Sequence, residues 1–266
     1  IDAGLAGIQA AVDVGAAWRR SPSLPLLRNT GQQPDGPITV LDEAESKDLL
    51  ARWGVPVPSG RIVTSAEEAA AAAEELGYPV VVKALDVAHK TEAGGVRLNL
   101  NSAGEVSAAV TEMSGLSASY LIEKMIEGVV AELIVGVARD EQFGPYLLVG
   151  GGGIMVELMR DSASILLPTT AEHVSQALGH LKCAPLLNCY RGCQPADLNA
   201  AVDVILKVAA MVENDPSSII ELDINPLMLL AEGQGVVAAD ALIGLNAEFA
   251  SDPRKVSGVM KATQNE

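Results

Sequence analysis

A lysine, a histidine and two glycines stand close together in one short stretch of the chain. Lys83 follows three valines, His89 comes next, and Gly94 and Gly95 end the stretch. An ammonium at the end of a buried strand can contact a phosphate as a point charge, and a glycine pair lets backbone N–H groups approach an anion. A neutral imidazole is a competent nucleophile near neutral pH. The alternatives are a strand-end lysine extending into solvent, a surface histidine and a simple glycine turn.

Two residues near the C-terminal end of the chain offer oxygen ligands. Asn225 precedes Pro226 between two apolar runs, and Asp240 follows the second run. We expect a hairpin to bring the Asn225 and Asp240 side chains to one end, where an amide oxygen and a carboxylate would suit Mg²⁺. This cation takes few protein ligands and shares phosphate oxygens. Glu221 and Asp223 are alternative ligands, and an ordinary turn with a strand-end aspartate is the structural alternative.

Glu123 and Glu132 lie on strands that leave the first half of the chain and enter the second. Each is a candidate to contact the ribose or to lie beside the metal ion, and each is equally a candidate for a solvated strand residue. The run Gly150–Gly153 precedes an apolar segment that we predict to be a strand. Because no helix is predicted to follow, the run is not a dinucleotide-binding fingerprint. It fits either a phosphate-contacting loop or a hinge.

The elements that must hold these residues alternate between strand and helix from Leu41 onward. Asp42 and Glu45 form a predicted capping box for a helix that ends near Gly54, and Ser65 caps the next helix. The strand that carries Lys83, a further strand and another helix complete this half. Short strands then follow in succession, with an amphipathic helix among them. The pattern predicts a mixed α/β (α+β) fold whose second half contains an antiparallel element.

Composition narrows the function classes. The chain has 266 residues, of which 49% are hydrophobic, and a formal net charge of −16. This acidity argues against nucleic acid or an anionic membrane as partners, and the longest apolar runs are too short to span a bilayer. We expect a cytoplasmic location, because no secretory signal is evident. Cys183, Cys189 and Cys193 match no zinc spacing, so we expect free thiols.

The order of these motifs resembles the ATP-grasp domain of the ADP-forming (NDP-forming) acyl-CoA synthetases, relatives of the succinyl-CoA synthetase β subunit. The resemblance covers Leu41 to Leu245. It is carried by VVVKALDVAHKTEAGGVRLNL, AELIVGVARDEQFGPYLLVGGGGIMVE, the YRG at Tyr190–Gly192, and ELDINPLMLL with GVVAADALI. It implies an ATP-grasp fold, with a nucleotide held between two lobes.

The resemblance also implies roles for individual residues. Lys83 matches the lysine that contacts the α/β-phosphates of ATP, and Asn225 and Asp240 match Mg²⁺ ligands. His89 matches a histidine that carries the phosphoryl group as phosphohistidine. The remaining nucleotide-site positions are Gly94, Gly95, Glu123 at the interlobe strand that receives adenine and ribose, and Glu132. ATP/ADP and Mg²⁺ are therefore the expected cofactors.

Four segments are predicted. Residues 1–40 would be the tail of a preceding domain with a linker, 41–117 the N-terminal lobe, 118–245 the C-terminal lobe, and 246–266 a flexible tail. The family's CoA-binding and ligase domains do not appear in the sequence. They, or an α-type subunit, are the expected partners that would bring a carboxylic acid and CoA, and we expect the enzyme to be an oligomer.

Three functions were compared. The favoured one is the ATP-binding, phosphoryl-transferring part of a synthetase that converts acid, CoA and ATP into acyl-CoA, ADP and phosphate through phosphohistidine and acyl phosphate. The alternative is a ligand-sensing regulatory module of a larger protein such as an acyltransferase. The presence of Lys83, His89, Asn225 and Asp240 favours an active site. A third candidate, another ATP-grasp ligase such as a carboxylase or peptide ligase, would lack the histidine loop.

Overall fold

A computed structural model describes residues 2–19, 37–85, 87, 93–153, 161–188 and 194–247. Several sequence predictions lie outside these residues. They are His89, the Tyr190–Gly192 motif, Cys189, Cys193, the apolar segment predicted to follow Gly153, and the tail from residue 248 onward. In the described parts of the chain, no helix is long and apolar enough to cross a bilayer.

The described residues form helices and strands with the following bounds. The helices are α1 (Asp2–Arg19), α2 (Glu43–Arg52), α3 (Ala66–Leu76), α4 (Ala103–Glu112), α5 (Ala171–His180), α6 (Ala184–Leu187) and α7 (Leu198–Asn214). The strands are β1 (Ile38–Leu41), β2 (Gly60–Val63), β3 (Val80–Ala84), β4 (Val96–Leu100), β5 (Tyr120–Lys124), β6 (Ala131–Asp140), β7 (Gly144–Gly151), β8 (Ser162–Leu166), β9 (Ile219–Leu229), β10 (Val236–Ala238) and β11 (Ala241–Asn246).

The smaller sheet has four strands in the order β2-β5-β3-β4, all paired antiparallel. Helices α3 and α4 share a buried cluster with this sheet. Helix α3 begins at its predicted cap, where the Ser65 hydroxyl accepts a hydrogen bond from Glu68 N. Helix α4 begins at a second serine cap, where the Ser102 hydroxyl accepts a hydrogen bond from Glu105 N. Small alanine side chains on α3 let the helix approach the strands closely. The cluster positions β3, whose residues are all buried.

The larger sheet has seven strands. Its order is β1-β11-β9-β6-β7-β8, and β10 also pairs with β9. One face is buried with α7 and α5 in the largest apolar cluster. The amphipathic stripe predicted for α7 is confirmed, with Ile205, Val208 and Val212 fully or almost fully buried. Alternate residues of β9 point the other way, so the opposite face of this sheet is open to solvent.

The two sheets are interleaved along the chain. Strand β5, which falls within the predicted segment 118–245, is a central strand of the smaller sheet. Strand β1 precedes the predicted segment 41–117 almost entirely, yet it pairs with β11 in the larger sheet. Helix α2 also packs against β11. The predicted lobe boundaries stay a prediction, and α2 contacts both sheets.

Some elements carried no signal that the sequence analysis used. Strands β1 and β8 and helices α5 and α6 were not predicted. Strand β6 continues to Asp140. The Asp140 carboxylate then accepts hydrogen bonds from Gln142 N and Phe143 N, so the turn follows it.

Candidate active site

Lys83 lies on β3 and is 8% exposed. Its ammonium contacts Glu43 Oε1 at 2.6 Å and Glu123 Oε2 at 2.9 Å. It also donates to the backbone oxygen of Ala239 at 2.7 Å. The contacts with Glu43 and Ala239 are hydrogen bonds and the contact with Glu123 is an ion pair, so three oxygens surround the ammonium. Lys83 is thus held at the junction of α2, the smaller sheet and the β10–β11 connection.

A second lysine completes a buried cluster, which we call the four-charge cluster: Glu43, Lys47, Lys83 and Glu123. Lys47 Nζ lies 2.7 Å from Glu43 Oε1 and 2.6 Å from Glu123 Oε1. Each of the four residues is 8% exposed or less. Two ammonium and two carboxylate groups balance in charge, which is the condition under which ionised groups are stable in a protein interior.

The two lysines of the cluster have opposite shifts of pKa. Burial alone would lower the pKa of Lys83, but the carboxylates of Glu123, Glu43 and Asp240 outweigh burial and raise it. For Lys47, burial and repulsion from Lys83 prevail over the same glutamates, so its pKa is lowered. Lys83 is therefore the group of the cluster that stays cationic most firmly.

Local structure explains how the cluster is assembled. The capping box places Glu43 in the first turn of α2, and Lys47 follows one turn later. Glu123 pairs with Val81 across β5 and β3, and with Gly60 across β5 and β2. A side chain at position 60 would meet Glu123 Cγ at 2.9 Å, so glycine there leaves room for the glutamate.

The sequence analysis missed Glu43 and Lys47. A signal was present, because Glu43, Lys47 and Leu50 follow the four- and three-residue spacing of one helix face, and all three are buried. A charged pair on an apolar stripe indicates buried partners elsewhere in the fold. The analysis did single out Glu123, and the structure places it against the two lysines.

Asn225 and Asp240 lie side by side. Asn225 N donates to the backbone oxygen of Asp240 at 3.2 Å, and Ala239 N donates to that of Pro226 at 3.0 Å. The expected antiparallel pairing does bring the two residues together, but not at the end of a hairpin. Both β10 and β11 pair with β9, and the two residues lie at the gap between β10 and β11.

The neighbourhood of this pair is acidic. Glu221, Asp223 and Asn225 alternate along the open face of β9 and are exposed. Surrounding protein removes part of the hydration of Asp223, and this, with the carboxylates of Asp240 and Glu221, raises the pKa of Asp223. Over the described ranges, no three His, Cys, Asp or Glu side chains are grouped to hold a metal ion. An amide, a carboxylate and shared phosphate oxygens nevertheless fit Mg²⁺.

Glu132 lies on β6 opposite Met228 of β9. The glycine run packs directly on it: Gly152 N donates to the backbone oxygen of Glu132 at 2.7 Å. A Cβ on Gly152 would lie 2.7 Å from the Glu132 carbonyl carbon, and one on Gly153 would lie 2.9 Å from Glu132 Oε2. The run is therefore needed for close packing, which the sequence analysis did not consider.

Gly94 and Gly95 lead into β4 beside the end of β3. Gly94 has a φ of 74°, a conformation that favours glycine. Ala84 N donates to the backbone oxygen of Gly95 at 2.8 Å, so the pair lies next to the residue that follows Lys83. The structure brings Lys83, Glu123 and the β10–β11 connection together. The part of the loop that holds His89 is outside the described residues.

Comparison with known proteins identifies the class. Residues 34–245 match the ATP-grasp domain family, so the chain belongs to that family. The chain is 35% identical over 215 residues to subunit β of the ADP-forming acetate–CoA ligase II of Pyrococcus furiosus. This match covers 77% of the chain and 91% of that subunit. Within the ATP-grasp family, the chain thus belongs with the ADP-forming acyl-CoA synthetases, as the sequence motifs indicated.

Two further relatives extend this assignment. A trans-feruloyl-CoA synthase from an unknown prokaryotic organism is 39% identical over 77% of the chain, which spans only 30% of that protein. Solved structures of the dinucleotide forming acetyl-coenzyme A synthetase 1 of Ca. Korarchaeum cryptofilum are also similar. One, with coenzyme A and Ca-AMPCP, has a TM-score of 0.71 and 33% identity, covering 77% of this chain and 93% of that chain. Another, with coenzyme A and Mg-AMPPCP, has its phosphohistidine segment pointing towards the nucleotide binding site. It has a TM-score of 0.67 and 34% identity, and the match covers 76% of this chain and 91% of that chain.

Proposed function

We propose that this chain is the ATP-binding, phosphoryl-transferring part of an ADP-forming acyl-CoA synthetase. The observation that carries the proposal is the convergence of Lys83, Ala239 and Asp240 where the two sheets approach each other. Lys83 Nζ is 2.7 Å from the oxygen of Ala239, the residue directly before Asp240. A firmly cationic group and an oxygen ligand set therefore lie on neighbouring chain segments. Phosphoryl transfer needs positioning and charge neutralisation above all.

In this proposal Lys83 contacts the α/β-phosphates, and Asn225 and Asp240 hold Mg²⁺. The Mg²⁺ ion would neutralise phosphate charge and orient the nucleotide. The open face of β9 presents Asn225 to solvent, so an incoming metal–nucleotide complex can reach it. Gly94 and Gly95 lie on the Lys83 side of this region. Glu132 sits under the glycine run and serves the site through that packing or through a nucleotide contact.

The chemical step assigned to this chain is phosphoryl transfer to His89. A neutral imidazole nitrogen attacks the γ-phosphorus of ATP, an N–P bond forms, the bond to the bridging oxygen breaks, and ADP leaves with its electron pair. The proposal draws support from the sequence HKTEAGGV and from the similar synthetase whose phosphohistidine segment points towards the nucleotide site. Phosphate would pass from His89 to the partner domains.

Those partners are CoA-binding and ligase domains, or an α-type subunit. The chain covers 91% of one relative that is a separate β subunit, but only 30% of a relative that is one long chain. Acid activation and thioester formation would occur on the partner, with overall conversion of acid, CoA and ATP into acyl-CoA, ADP and phosphate. Assembly into an oligomer and a cytoplasmic location remain part of this proposal.

The test is phosphate labelling of the chain with γ-labelled Mg-ATP. We expect acid-labile, alkali-stable label on the chain, and its loss in His89→Asn. His173→Asn is the matched control, because His173 lies on α5 away from the proposed site and should leave labelling intact. The assay is run with and without the partner domains. Nucleotide binding without labelling in both conditions would support the ligand-sensing alternative.

A further inference from the structure

We infer that Glu43 is a positioning residue that holds Lys83 while the nucleotide site is empty and yields it to a phosphate oxygen when ATP binds. This inference rests on the proposed contact between Lys83 and nucleotide phosphate. It goes beyond that contact by naming the side chain that phosphate replaces. Glu43 lies on α2, outside every motif that the sequence analysis assigned to nucleotide binding.

An exchange of partners is required by the geometry of Lys83. Its ammonium is already surrounded by Glu43 Oε1, Glu123 Oε2 and the backbone oxygen of Ala239, at 2.6, 2.9 and 2.7 Å. A phosphate oxygen must therefore displace one of these acceptors or share its hydrogen. Because the side chain is 8% exposed, water cannot readily satisfy the acceptor that is left behind. The acceptor whose release costs the least free energy is the one that keeps another cation beside it.

Glu43 is that acceptor. The same oxygen, Oε1, that contacts Lys83 is also 2.7 Å from Lys47 Nζ, so a cation remains beside it after Lys83 moves. Glu123 uses one oxygen for each lysine, and loss of Lys83 would take the ammonium contact from Oε2. The oxygen of Ala239 would lose the donor that ties the smaller sheet to the β10–β11 connection. Burying an acceptor without its donor is costly.

Lys47 gives the exchange its physical basis. It contacts both glutamates at 2.6–2.7 Å and keeps them in place whether or not Lys83 is present. Phosphate would take over the negative charge that Glu43 provides in the empty site. Lys83 itself then still faces two anions, one carboxylate of Glu123 and one exchangeable anion, while Glu43 keeps Lys47 as its cation.

The experiment measures the affinity of the complete chain for Mg-ADP and for adenosine by calorimetry. In Glu43→Gln the amide keeps the size of the side chain but removes the competing charge. We expect Mg-ADP to bind about tenfold more tightly, since a hydrogen bond to a charged group no longer has to be broken. Adenosine affinity should not change. Glu75→Gln is the matched control: Glu75 pairs with Arg61 at 2.7 Å on the exposed surface, and the change in net charge is the same.

Other results overturn the inference. A loss of Mg-ADP and adenosine affinity together in Glu43→Gln would make Glu43 purely structural. A loss of affinity for Mg-ADP alone would mean that Glu43 supports Lys83 in the bound state. Unchanged affinity, or an equal gain in Glu75→Gln, would also contradict the exchange. No binding of Mg-ADP by the unaltered chain would refute the proposed function itself, and the exchange with it.

A second measurement needs no variant and covers the case in which Glu43→Gln does not fold. A crystal structure of the unaltered chain with Mg-ADP should show Lys83 Nζ beyond hydrogen-bond distance from Glu43 Oε1 and within it of a phosphate oxygen. Lys47 should still contact Glu43. Retention of all three present contacts of Lys83 beside a bound nucleotide would refute the exchange while leaving nucleotide binding established.

Discussion

The two sheets contribute opposite charges to the candidate site, and one of these charges is buried whereas the others are exposed. The smaller sheet contributes Lys83, which is buried and surrounded by three oxygens. The larger sheet contributes Glu221, Asp223 and Asn225 on an open face in contact with solvent. A buried cation must have its partners built into the fold, whereas exposed oxygen groups can leave theirs to water and incoming ions. The protein thus fixes its cation in advance and leaves its proposed metal ligands accessible.

Because of this difference, we expect the buried cluster to matter for stability and the open face to matter for ligand binding. Disturbing the four-charge cluster should affect the fold, because buried charges have little access to water that could replace a lost partner. Disturbing the open face should affect titration and ligand binding while the fold is retained. The predictions below test this contrast, starting with the change that should have the largest effect.

Lys83→Met removes one cation from the cluster and leaves two buried carboxylates with Lys47 alone. We expect the free energy of unfolding to fall by about 3–5 kcal/mol, measured by urea denaturation. Lys207→Met is the matched control. Lys207 pairs with Asp203 at 2.7 Å on the surface of α7, and this change should cost about 1 kcal/mol or less. Equal losses in the two variants would contradict the contrast between buried and exposed charge.

Gly152→Ala tests the packing of the glycine run on the larger sheet. The added Cβ would lie 2.7 Å from the Glu132 carbonyl carbon, so backbone must shift, and we expect a loss of about 1–3 kcal/mol in thermal or urea unfolding.

Gly179→Ala provides the comparison for that substitution. Gly179 lies in helix α5, and a Cβ there would meet nothing within 4 Å. Alanine should therefore be neutral or stabilise by up to about 1 kcal/mol. A stable Gly152→Ala protein would show that the run is loose enough to act as a hinge.

Asp240→Asn should lower the pKa of Asp223, measured by NMR titration of the metal-free protein, because it removes the carboxylate that repels Asp223 more strongly. Glu221→Gln should lower it less, since Glu221 contributes less to the shift. A pKa that does not move in Asp240→Asn would place the two carboxylates too far apart to act on one ion.

The same shift makes a signed prediction for stability. The folded protein binds a proton at Asp223 more tightly than the unfolded chain, whose aspartates titrate near pH ~3.9. The stabilising contribution is therefore full below that pH and is lost as pH rises through the raised folded pKa. In Asp240→Asn this loss should be smaller.

Arg61→Ala should have the smallest effect. Arg61 and Glu75 form an ion pair at 2.7 Å in which both side chains are more than half exposed. We expect the free energy of unfolding to change by less than about 1 kcal/mol, and high salt to remove the difference. A larger loss that persists at high salt would show that exposed charges also matter to this fold.

Local features were predictable from the sequence. Asp42 and Ser65 start the helices expected of them, because a capping side chain and its N–H partner lie within a few residues. The strand that carries Lys83 was found with its bounds, since a valine run is a strong short-range signal. Asn225 and Asp240 were expected to meet, although a second strand on the same side of β9 put them away from the hairpin end.

The sequence by itself thus determined the starts of α2 and α3, most strands, the order of motifs and the family. Only the tertiary structure decided that β5 joins the smaller sheet, that Glu43 and Lys47 are buried, and that Glu123 faces two lysines. Lys47 and Glu123 lie 76 residues apart in the chain, and Lys83 and Ala239 lie 156 apart. Whether a charge is solvated or buried depends on such long-range neighbours, and no spacing within one segment records them.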